Sequence, residues 1–507
     1  MTAHNYSRRD FLKTVGVCTA TLSLSDCVGP DQLAGGKNKK HTNILLITAD
    51  DMNYNSPGIY GCEIPNITPN IDRLAAQGVR FTHAHVNIAV CQPSRQSIMT
   101  GRYPHRNGAE GFEPIDTSIP TLQEQLRKAG YLNAVLGKEK HLMPKEKFCW
   151  DFYITEKQLA SGAGIGRDPQ LYYQYTREFL NKARTEQKPF FLMANSHDPH
   201  RPFAGSDQEK KNWGHDLPKF RRRIKPQDVN VPAFLPDIPG VRQEIAEYYT
   251  SVHRCDETVG AVLKALQESG LNENTIVMFI SDNGMSFPFA KANCYLNSTK
   301  TPWIVRWPGK VKPQTVDHNH FISGIDYMPT ILDALGLPNV PDLDGVSFLP
   351  LLRGESQPYR TAVYTQFHET SAPRRFPMRC VQNRRFGYIF NFWSDNKTIL
   401  KMESKNGRTW KAMVEAAKTD PGIDQRVIMF QHRVPEEFYD FQNDPDGLVN
   451  LIDHPKYQPE IEALRKLLRH WMIRTQDPAL EAFTNRNDPA RIQKFMQAQR
   501  QKTKIIK

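Results

Sequence analysis

The chain is poor in cysteine and contains no closely spaced cysteine pair. Only 8 of its 507 residues are cysteine, and none of them form a Cys-x-x-Cys pattern. Structural zinc sites and small disulfide-rich domains are built on such patterns, so neither is expected. Two of the cysteines lie in the first thirty residues. Apart from Cys91, the other five are expected to be mostly reduced, buried thiols.

A hydrophobic run long enough to span a membrane is also missing. Residues 15–24 are only mildly apolar and rich in Thr and Ser, so they are too short and too polar to remain in a bilayer. They follow Ser7-Arg8-Arg9-Asp10-Phe11-Leu12-Lys13, which matches the twin-arginine export pattern. We therefore expect residues 1–35 to be an export signal, and the mature protein to be periplasmic or secreted without a transmembrane segment. A lipid anchor at Cys27 is the less favoured alternative, because the preceding Asp26 is unusual in a lipoprotein cleavage site.

Acidic residues are outnumbered by basic ones. Lys and Arg total 66 against 54 Asp and Glu, a formal net charge of +12. Such a balance suits nucleic acid, an acidic membrane surface or a polyanionic substrate. No arginine-rich helix, finger or basic stripe with interleaved aromatics occurs, so nucleic acid is the least favoured partner. A sulfated polysaccharide fits the sign of the charge.

Strand-like and helix-like segments alternate from residue 43 onwards. The predicted strands are 43–48, 79–83, 133–136, 190–194, 275–280 and 303–307, and the predicted helices are 71–77, 94–100, 122–129, 172–186, 245–268 and 327–335. This alternation predicts an α/β fold with a mostly parallel sheet sandwiched by helices. Ligands of such sheets bind beyond the carboxyl ends of the strands.

We expect this α/β domain to span residues 41–355 and a smaller α+β subdomain to span 356–507. In the subdomain the pattern predicts a strand at 388–393, one terminal helix at 460–473 and a frayed lysine-rich tail after Lys494. The Pro-rich and charged stretch 204–239 is expected to be a long surface excursion.

Cys91-Gln92-Pro93-Ser94-Arg95 opens the predicted helix at 94–100. Pro and Ser suit a helix start, which would put residue 91 at the positive end of the helix dipole, where an anion is favoured. An ordinary buried cysteine ahead of a helix explains these five residues equally well.

Acidic and amide side chains follow two of the predicted strands. Asp50 and Asp51 come directly after the first strand, and Asp282 and Asn283 follow the strand at 275–280. Oxygen donors of this kind suit calcium or magnesium rather than zinc. Each pair alone is also explained by a turn or a helix cap.

Basic side chains follow two further strands. Gly137-Lys138-Glu139-Lys140-His141 comes after 133–136, and His197-Asp198-Pro199-His200 comes after 190–194. Lysine and histidine at a strand end can hold an anion and move a proton, although a solvated surface loop is the commoner explanation. Lys291 lies eight residues past Asn283 and is unremarkable by itself.

Taken in order, these residues resemble the type I sulfatases of the alkaline phosphatase-like superfamily. Phe438-Tyr439-Asp440-Phe441, Asn443-Asp444-Pro445 and Asn450-Leu451 also resemble the C-terminal motif of that family. Three stretches are similar to the N-sulfoglucosamine sulfohydrolases within it: 197–201, 281–288 and the region from 359 to 382. The resemblance implies an exo-acting hydrolase of N-sulfate groups on terminal glucosamine in heparan- or heparin-type saccharides.

The resemblance also implies cofactors. A maturation enzyme would convert Cys91 to formylglycine, whose hydrated aldehyde is the family's nucleophile. Calcium would be held by Asp50, Asp51, Asp282 and Asn283 and would also touch residue 91.

Roles for the other residues follow from the same resemblance. Arg95 would orient the hydrated aldehyde, and Lys138, His200 and Lys291 would stabilise the negative charge. His200 would protonate the leaving amine, and His141 would act as the base that releases sulfate. The candidate substrate contacts are His105, His197, His368 and Glu369. The segment after Gly137 has one residue more than the family's compact form, so Lys138 is favoured for the sulfate contact but Lys140 remains an alternative.

Three other functions stay open at this point. An O-sulfatase on a glycosaminoglycan or another sulfated glycan would use the same core residues. A phosphodiesterase or phosphonate hydrolase of the superfamily is disfavoured by Cys91 and Arg95. An inactive protein that binds sulfated glycans would keep Cys91 as a thiol.

Overall fold

The computed structural model of the chain describes residues 41–160, 165–214, 220–357, 360–370 and 374–505. The predicted export signal at 1–35 lies outside these residues and stays a prediction. Within the described ranges, no helix is both long and apolar enough to cross a membrane.

The described chain alternates strands and helices through its first three hundred residues. The strands are β1 (Asn43–Asp50), β2 (Val79–Phe81), β3 (Ala84–His85), β4 (Leu132–Leu136), β5 (Phe152–Ile154), β6 (Phe190–Pro199), β7 (Thr275–Ser281), β8 (Trp303–Arg306), β9 (Thr315–Asp317), β10 (Ile322–Ser323), β11 (Val363–Glu369), β12 (Arg375–Gln382), β13 (Phe386–Asn391) and β14 (Glu436–Asp440). The helices are α1 (Pro69–Ala76), α2 (Cys91–Thr100), α3 (Pro104–Asn107), α4 (Leu122–Lys128), α5 (Pro169–Thr185), α6 (Asp207–Trp213), α7 (Pro239–Glu268), α8 (Leu296–Thr299), α9 (Tyr327–Leu335), α10 (Leu349–Leu352), α11 (Arg408–Ala416), α12 (Pro421–His432), α13 (Gln458–Arg474), α14 (Leu480–Thr484) and α15 (Pro489–Ile505).

Eight strands form the central sheet in the order β5-β4-β6-β1-β7-β8-β2-β9. Strands β5, β4, β6, β1 and β7 run parallel, and only β8 is antiparallel to its neighbours β7 and β2. Four strands, β11 to β14, form a separate antiparallel sheet in chain order. The predicted α/β architecture with a smaller C-terminal α+β part is confirmed.

The apolar core lies on both faces of the central sheet. Along β1, Ile44 and Leu46 join one buried cluster, whereas Leu45 and Ile47 join the other. A parallel strand covered on both faces must be apolar on both, which is why β1 reads as a continuous apolar run. The second of these clusters also contains Met378 of β12, so it joins the two sheets. The predicted boundary between residues 355 and 356 stays a prediction.

Several predicted element bounds are wrong. β6 does not end at residue 194 but continues to Pro199, because its polar residues remain buried and Pro199 still pairs with Asp50 of β1. His197 therefore lies in the strand. Helix α2 begins at Cys91 rather than at 94.

The C-terminal region departs furthest from the predictions. Instead of one terminal helix, α13, α14 and α15 follow β14, and α11 and α12 precede it. The tail after Lys494 is not frayed, because α15 continues to Ile505 and Lys502 contacts Glu110. The excursion at 204–239 contains α6 and buries Phe234 and Leu235, so it is only partly a surface loop.

Candidate active site

The carboxyl ends of four neighbouring parallel strands meet at one edge of the central sheet. β4, β6, β1 and β7 stand side by side. Asp50 ends β1, Lys138 follows β4, and Asp282 follows β7. Because parallel strands end at the same edge, residues far apart in sequence are brought together there.

The backbone is strained at two of these strand ends. Asp51 has φ 68° and Lys138 has φ 53°, a left-handed conformation that non-glycine residues adopt at a cost of about 1 kcal/mol or more. Such strain persists only where the surrounding structure enforces it. Both outliers lie where the charged side chains converge.

Helix α2 places Cys91 at the centre of this edge. All ten residues of α2 are buried, and Cys91 is its first residue. The Cys91 Sγ lies 3.1 Å from Asp50 Oδ1 and 3.6 Å from Asp51 Oδ1. Burial, reinforced by Asp50, raises the pKa of the Cys91 thiol well above its ordinary value. The unmodified thiol therefore stays protonated at neutral pH and is a poor nucleophile.

Oxygen atoms suited to a hard cation surround Cys91. Asp50, Asp51, Cys91 and His200 each offer a ligand atom, and these atoms lie within 4.8 Å of one another. Asp282 Oδ1 accepts the backbone N–H of Asp51 at 3.1 Å. Carboxylates of this kind suit calcium or magnesium.

Two further observations support a cation at these oxygens. Asn283 donates its amide to Asp51 Oδ1 at 2.7 Å, which leaves Asn283 Oδ1 buried without a hydrogen-bond partner. Burial, aided by Asp50 and Asp51 and opposed by Arg95, raises the pKa of Asp282 to about 7. A bound cation would satisfy the amide oxygen and reduce the carboxylate repulsion, so the residues present fit the predicted metal site.

Arg95 ties the carboxylates to the sheet. Its guanidinium lies 2.7 Å from Asp282 Oδ2 and 3.9 Å from Asp50 Oδ1. It also donates to Thr48 Oγ1 at 2.7 Å and to Asn195 Oδ1 at 2.6 Å. The Arg95 side chain is fully buried, so its guanidinium is held rigidly, and Arg95 lies one helical turn after Cys91.

The two candidate lysines after β4 lie in different environments. Lys138 is buried and its ammonium pairs with Asp50. Lys140 points outward, with a side chain 65% exposed and its Nζ 2.7 Å from Glu156 Oε1. The geometry thus favours Lys138 over Lys140 for a contact inside the site.

Lys291 and His200 lie beside Asp51 in the site. Lys291 Nζ lies 2.8 Å from Asp51 Oδ2. Burial lowers the pKa of Lys291, but the neighbouring negative charges, of which Asp51 is the largest, together outweigh it and raise that pKa well above its ordinary value. His200 Nε2 lies 3.7 Å from the same Asp51 oxygen. Its Nδ1 lies 2.5 Å from the carbonyl oxygen of Arg201, so Nδ1 donates and Nε2 is left to face the site.

These side chains line a cavity of about 690 Å³. Its wall includes Cys91, Lys138, His141, His200, Lys291 and the segment 401–406. Ligand pockets of small molecules have volumes of roughly 300–1,000 Å³, so the cavity is large enough for a sugar with its substituents.

Comparisons with known proteins agree with this geometry. The family model described as Sulfatase matches residues 42–337, more than half of the chain. The chain belongs to the sulfatase family. A second model, described as N-sulphoglucosamine sulphohydrolase, C-terminal, matches residues 286–409 of this sulfatase. As a member of the sulfatase family, the protein is a hydrolase.

Individual relatives are similar along most of the sulfatase. N-sulphoglucosamine sulphohydrolase of Homo sapiens is 31% identical over 466 residues, covering 86% of this chain and 91% of the relative. An ulvan-active sulfatase of Formosa agariphila is 27% identical over 486 residues, covering 87% and 76%. A solved structure in complex with its substrate, D-glucosamine-2-N,6-O-disulfate, has a TM-score of 0.65 at 20% identity, covering 87% of this chain and 99% of that one. At that identity the likeness supports the fold alone.

Sequence reasoning missed Glu403. In this sulfatase it lies in a short 3₁₀ helix, Glu403–Asn406, with Oε2 3.3 Å from Lys291 Nζ and Oε1 3.6 Å from His200 Nε2. Burial would raise the pKa of Glu403, but Lys291 and His200 outweigh it and lower it to about 2. No motif surrounds Glu403 in the sequence, and only the fold brings it to the cavity.

The two remaining histidines of the central edge have different surroundings. Burial, together with Lys138 and Arg95, lowers the pKa of His141 well below its ordinary value, and His141 lines the cavity. His197 is buried, and its Nε2 accepts the backbone N–H of Lys138 at 3.2 Å. His197 therefore supports the strained lysine rather than the cavity surface.

Like His197, the other three predicted substrate contacts do not line the cavity. His105 lies between Gln366 and Thr475, at 3.0 and 3.2 Å from their oxygens. His368 is buried, and its Nδ1 lies 3.0 Å from Arg375. Glu369 precedes the cavity residue Thr370, and burial raises its pKa to about 7. Their substrate-binding roles stay predictions that these positions do not favour.

Proposed function

We propose that this sulfatase is an exo-acting hydrolase of the N-sulfate group on terminal glucosamine in heparan- or heparin-type saccharides. The observation that carries the proposal is the match of residues 286–409 to the C-terminal model of N-sulphoglucosamine sulphohydrolase. That segment supplies Lys291 and Glu403, which line the same cavity as Cys91. The segment that matches this C-terminal model thus contributes side chains to the cavity wall.

Residue 91 would act as formylglycine, made from Cys91 by a maturation enzyme. Once formed, it would supply a hydrated aldehyde whose oxygen attacks sulfur, while a calcium ion at Asp50, Asp51, Asp282 and Asn283 would supply positive charge. The protonated state of the unmodified thiol supports this proposal, because a neutral thiol beside carboxylates is a poor nucleophile.

Lys138 and Lys291 would hold the sulfate and stabilise the charge that builds up on it. Asp50 and Asp51 outweigh burial and keep the pKa values of Lys138 and Lys291 above their ordinary values, so both ammonium groups stay charged at neutral pH. Arg95, which contacts Asp50 and Asp282, would orient the hydrated aldehyde. Preorganised charges of this kind, in a site shielded from water, are usually the largest contribution to catalysis.

Two histidines would move protons. His200 directs Nε2 into the cavity because Nδ1 donates to the Arg201 carbonyl, so a protonated Nε2 can donate to the departing nitrogen. His141 has a lowered pKa and is neutral at pH 7, which suits the base that accepts the proton during sulfate release.

The test is a choice between two substrates. N-sulfated glucosamine and 6-O-sulfated glucosamine are incubated separately with the matured enzyme, and free sulfate is measured. The Cys91→Ala variant, purified identically, controls for contaminating sulfatases. We expect sulfate release from the N-sulfated sugar. Release only from the 6-O-sulfated sugar would refute the proposal and indicate an O-sulfatase. No release from either sugar, with sugar binding retained, would indicate an inactive glycan-binding protein.

A further inference from the structure

Two lysines of the cavity wall take no part in the chemistry proposed above. Lys401 and Lys405 flank Glu403 in the segment 401–406, and both line the same cavity as Cys91. Glu403 points inward to Lys291 and His200. Because Glu403 is already paired with Lys291 and His200, it does not neutralise the two lysines on either side of it. Lys401 and Lys405 therefore present positive charge to the cavity.

Neither lysine forms an ion pair with a carboxylate in the part of the chain that the structure describes. Lys405 Nζ donates to the carbonyl oxygen of Leu400 at 3.2 Å and lies 5.0 Å from the centre of the Trp410 ring. Lys401 is exposed and forms no ion pair with any carboxylate in the described ranges. Burial, with the nearby charge of Lys401, lowers the pKa of Lys405. Two neighbouring cations without a counter-ion repel each other, and an anionic ligand between them would relieve that repulsion.

The positive charge continues away from the cavity. Asn406 borders both the cavity and a second groove of about 520 Å³. In that groove Arg201 and Arg408 pair with acidic residues, whereas Lys211 and Lys411 have no ion-pair partner among the described residues. Asn406 thus links the cavity to a groove whose acidic residues are Asp207, Glu244 and Glu247 and which holds two further lysines without an ion-pair partner among the described residues.

We infer that Lys401 and Lys405 form a second anion-binding subsite, for the sulfate or carboxylate of the sugar unit next to the one that loses its sulfate. This inference rests on the proposed function, in that it assumes a saccharide whose terminal sulfated unit occupies the cavity at Cys91. The subsite selects substrates in which an anionic sugar follows the terminal one, and the lysines beyond Asn406 extend it for longer chains.

The test uses three disaccharides with the same terminal N-sulfated glucosamine. The second sugar is carboxyl-reduced and neutral in the first, a uronic acid in the second and a 2-O-sulfated uronic acid in the third. The double variant Lys401→Gln, Lys405→Gln removes both charges and keeps the side-chain stems. Lys310→Gln, at an exposed lysine outside the cavity, is the matched control.

We expect the wild-type enzyme to have a KM about tenfold lower for at least one anionic disaccharide than for the neutral one, a factor that corresponds to about 1.4 kcal/mol. The double variant should lose this preference through KM, with kcat little changed, because the reacting groups are untouched. Lys310→Gln should retain the preference. The second and third disaccharides distinguish a carboxylate-selective subsite from a sulfate-selective one.

Equal KM values of the wild-type enzyme for all three disaccharides would overturn the inference, as would an equal loss of preference in Lys310→Gln. Calorimetric binding of the same disaccharides to Cys91→Ala protein, with and without the two lysines, gives a readout without turnover. Lysine-dependent binding without N-sulfate hydrolysis by the matured enzyme would refute the proposed function and keep the subsite. N-sulfate hydrolysis together with binding that does not depend on the lysines would keep the proposed function and refute the subsite.

Discussion

Replacing Lys138 and Lys140 separately by methionine tests the geometry of the site with two neighbouring residues. Methionine keeps an apolar stem and removes the ammonium group. Lys138 is 7% exposed and pairs with the fully buried Asp50. Lys140 is 65% exposed and pairs with Glu156 at the surface. The same chemical change therefore removes a buried charge in one variant and a solvated charge in the other.

The expected effects differ accordingly. Removing one partner of a buried ion pair costs roughly 3–5 kcal/mol, and Arg95, 3.9 Å from Asp50, should keep the loss near the lower end. That is less than the roughly 5–15 kcal/mol of a typical domain, so Lys138→Met should fold with a lowered melting temperature. Its kcat should fall by about 10²–10³, the usual effect of removing one preorganised charge. Lys140→Met should lose at most about 1 kcal/mol.

The assay is sulfate release by matured wild-type and variant enzymes on one substrate, with a thermal melt of each sample. The melt shows whether an inactive variant is folded. A Lys138→Met enzyme whose kcat stays within about threefold of wild type, or a Lys140→Met enzyme with an equal loss, would refute the assignment of Lys138 to the sulfate.

Three further predictions follow from the site and the C-terminal sheet. The peptide that contains residue 91 should be lighter in active enzyme than its sequence predicts, because CH₂SH becomes CHO; an intact thiol in fully active enzyme would exclude the formylglycine mechanism. Calcium at about a hundredfold excess over its Kd should stabilise chelator-treated wild-type protein by about 2.7 kcal/mol but not Asp282→Asn, and full activity after exhaustive chelation would contradict a metal site. Arg379 outweighs burial and lowers the pKa of Asp477 to about 2, so this carboxylate stabilises the fold above its unfolded pKa of about 3.9. That contribution, about 2.6 kcal/mol, should be lost as the pH falls from about 4 to 2. The difference in unfolding free energy between wild type and Asp477→Asn, measured by urea titration, should therefore narrow over this range; a constant difference would show that the pair is not linked to pH.

The central sheet and most of the site could be predicted because one physical rule governs both. Parallel strands covered on two faces, such as β1, must be continuously apolar, so they stand out in the sequence. Polar residues directly after them then lie at the common carboxyl edge, which placed Asp50, Lys138 and Asp282 near Cys91. The residue roles stay predictions until the variants are measured.

The parts that could not be predicted depend on contacts distant in sequence. Strand β6 continues through Asn195 and His197 because these polar side chains have buried hydrogen-bond partners; the partner of Asn195 is the guanidinium of Arg95. Polar residues paired in this way give no apolar pattern in the sequence, so the strand could not be predicted there. Helix α12 buries only Val427 and Phe430, so its apolar periodicity is weak. Glu403 contacts Lys291, 112 positions earlier in the sequence, and no local sequence pattern predicts such a contact.

The complete burial of α2 constrains when Cys91 can be modified relative to folding. Pro93 and Arg95, the residues that distinguish this cysteine from the others, are covered in the folded protein together with Cys91. A maturation enzyme of the kind proposed above would therefore need to reach the segment before the sheet and α2 assemble. Folding and maturation would then compete kinetically, and a molecule that folded first would keep Cys91 as an unmodified thiol until it unfolded again.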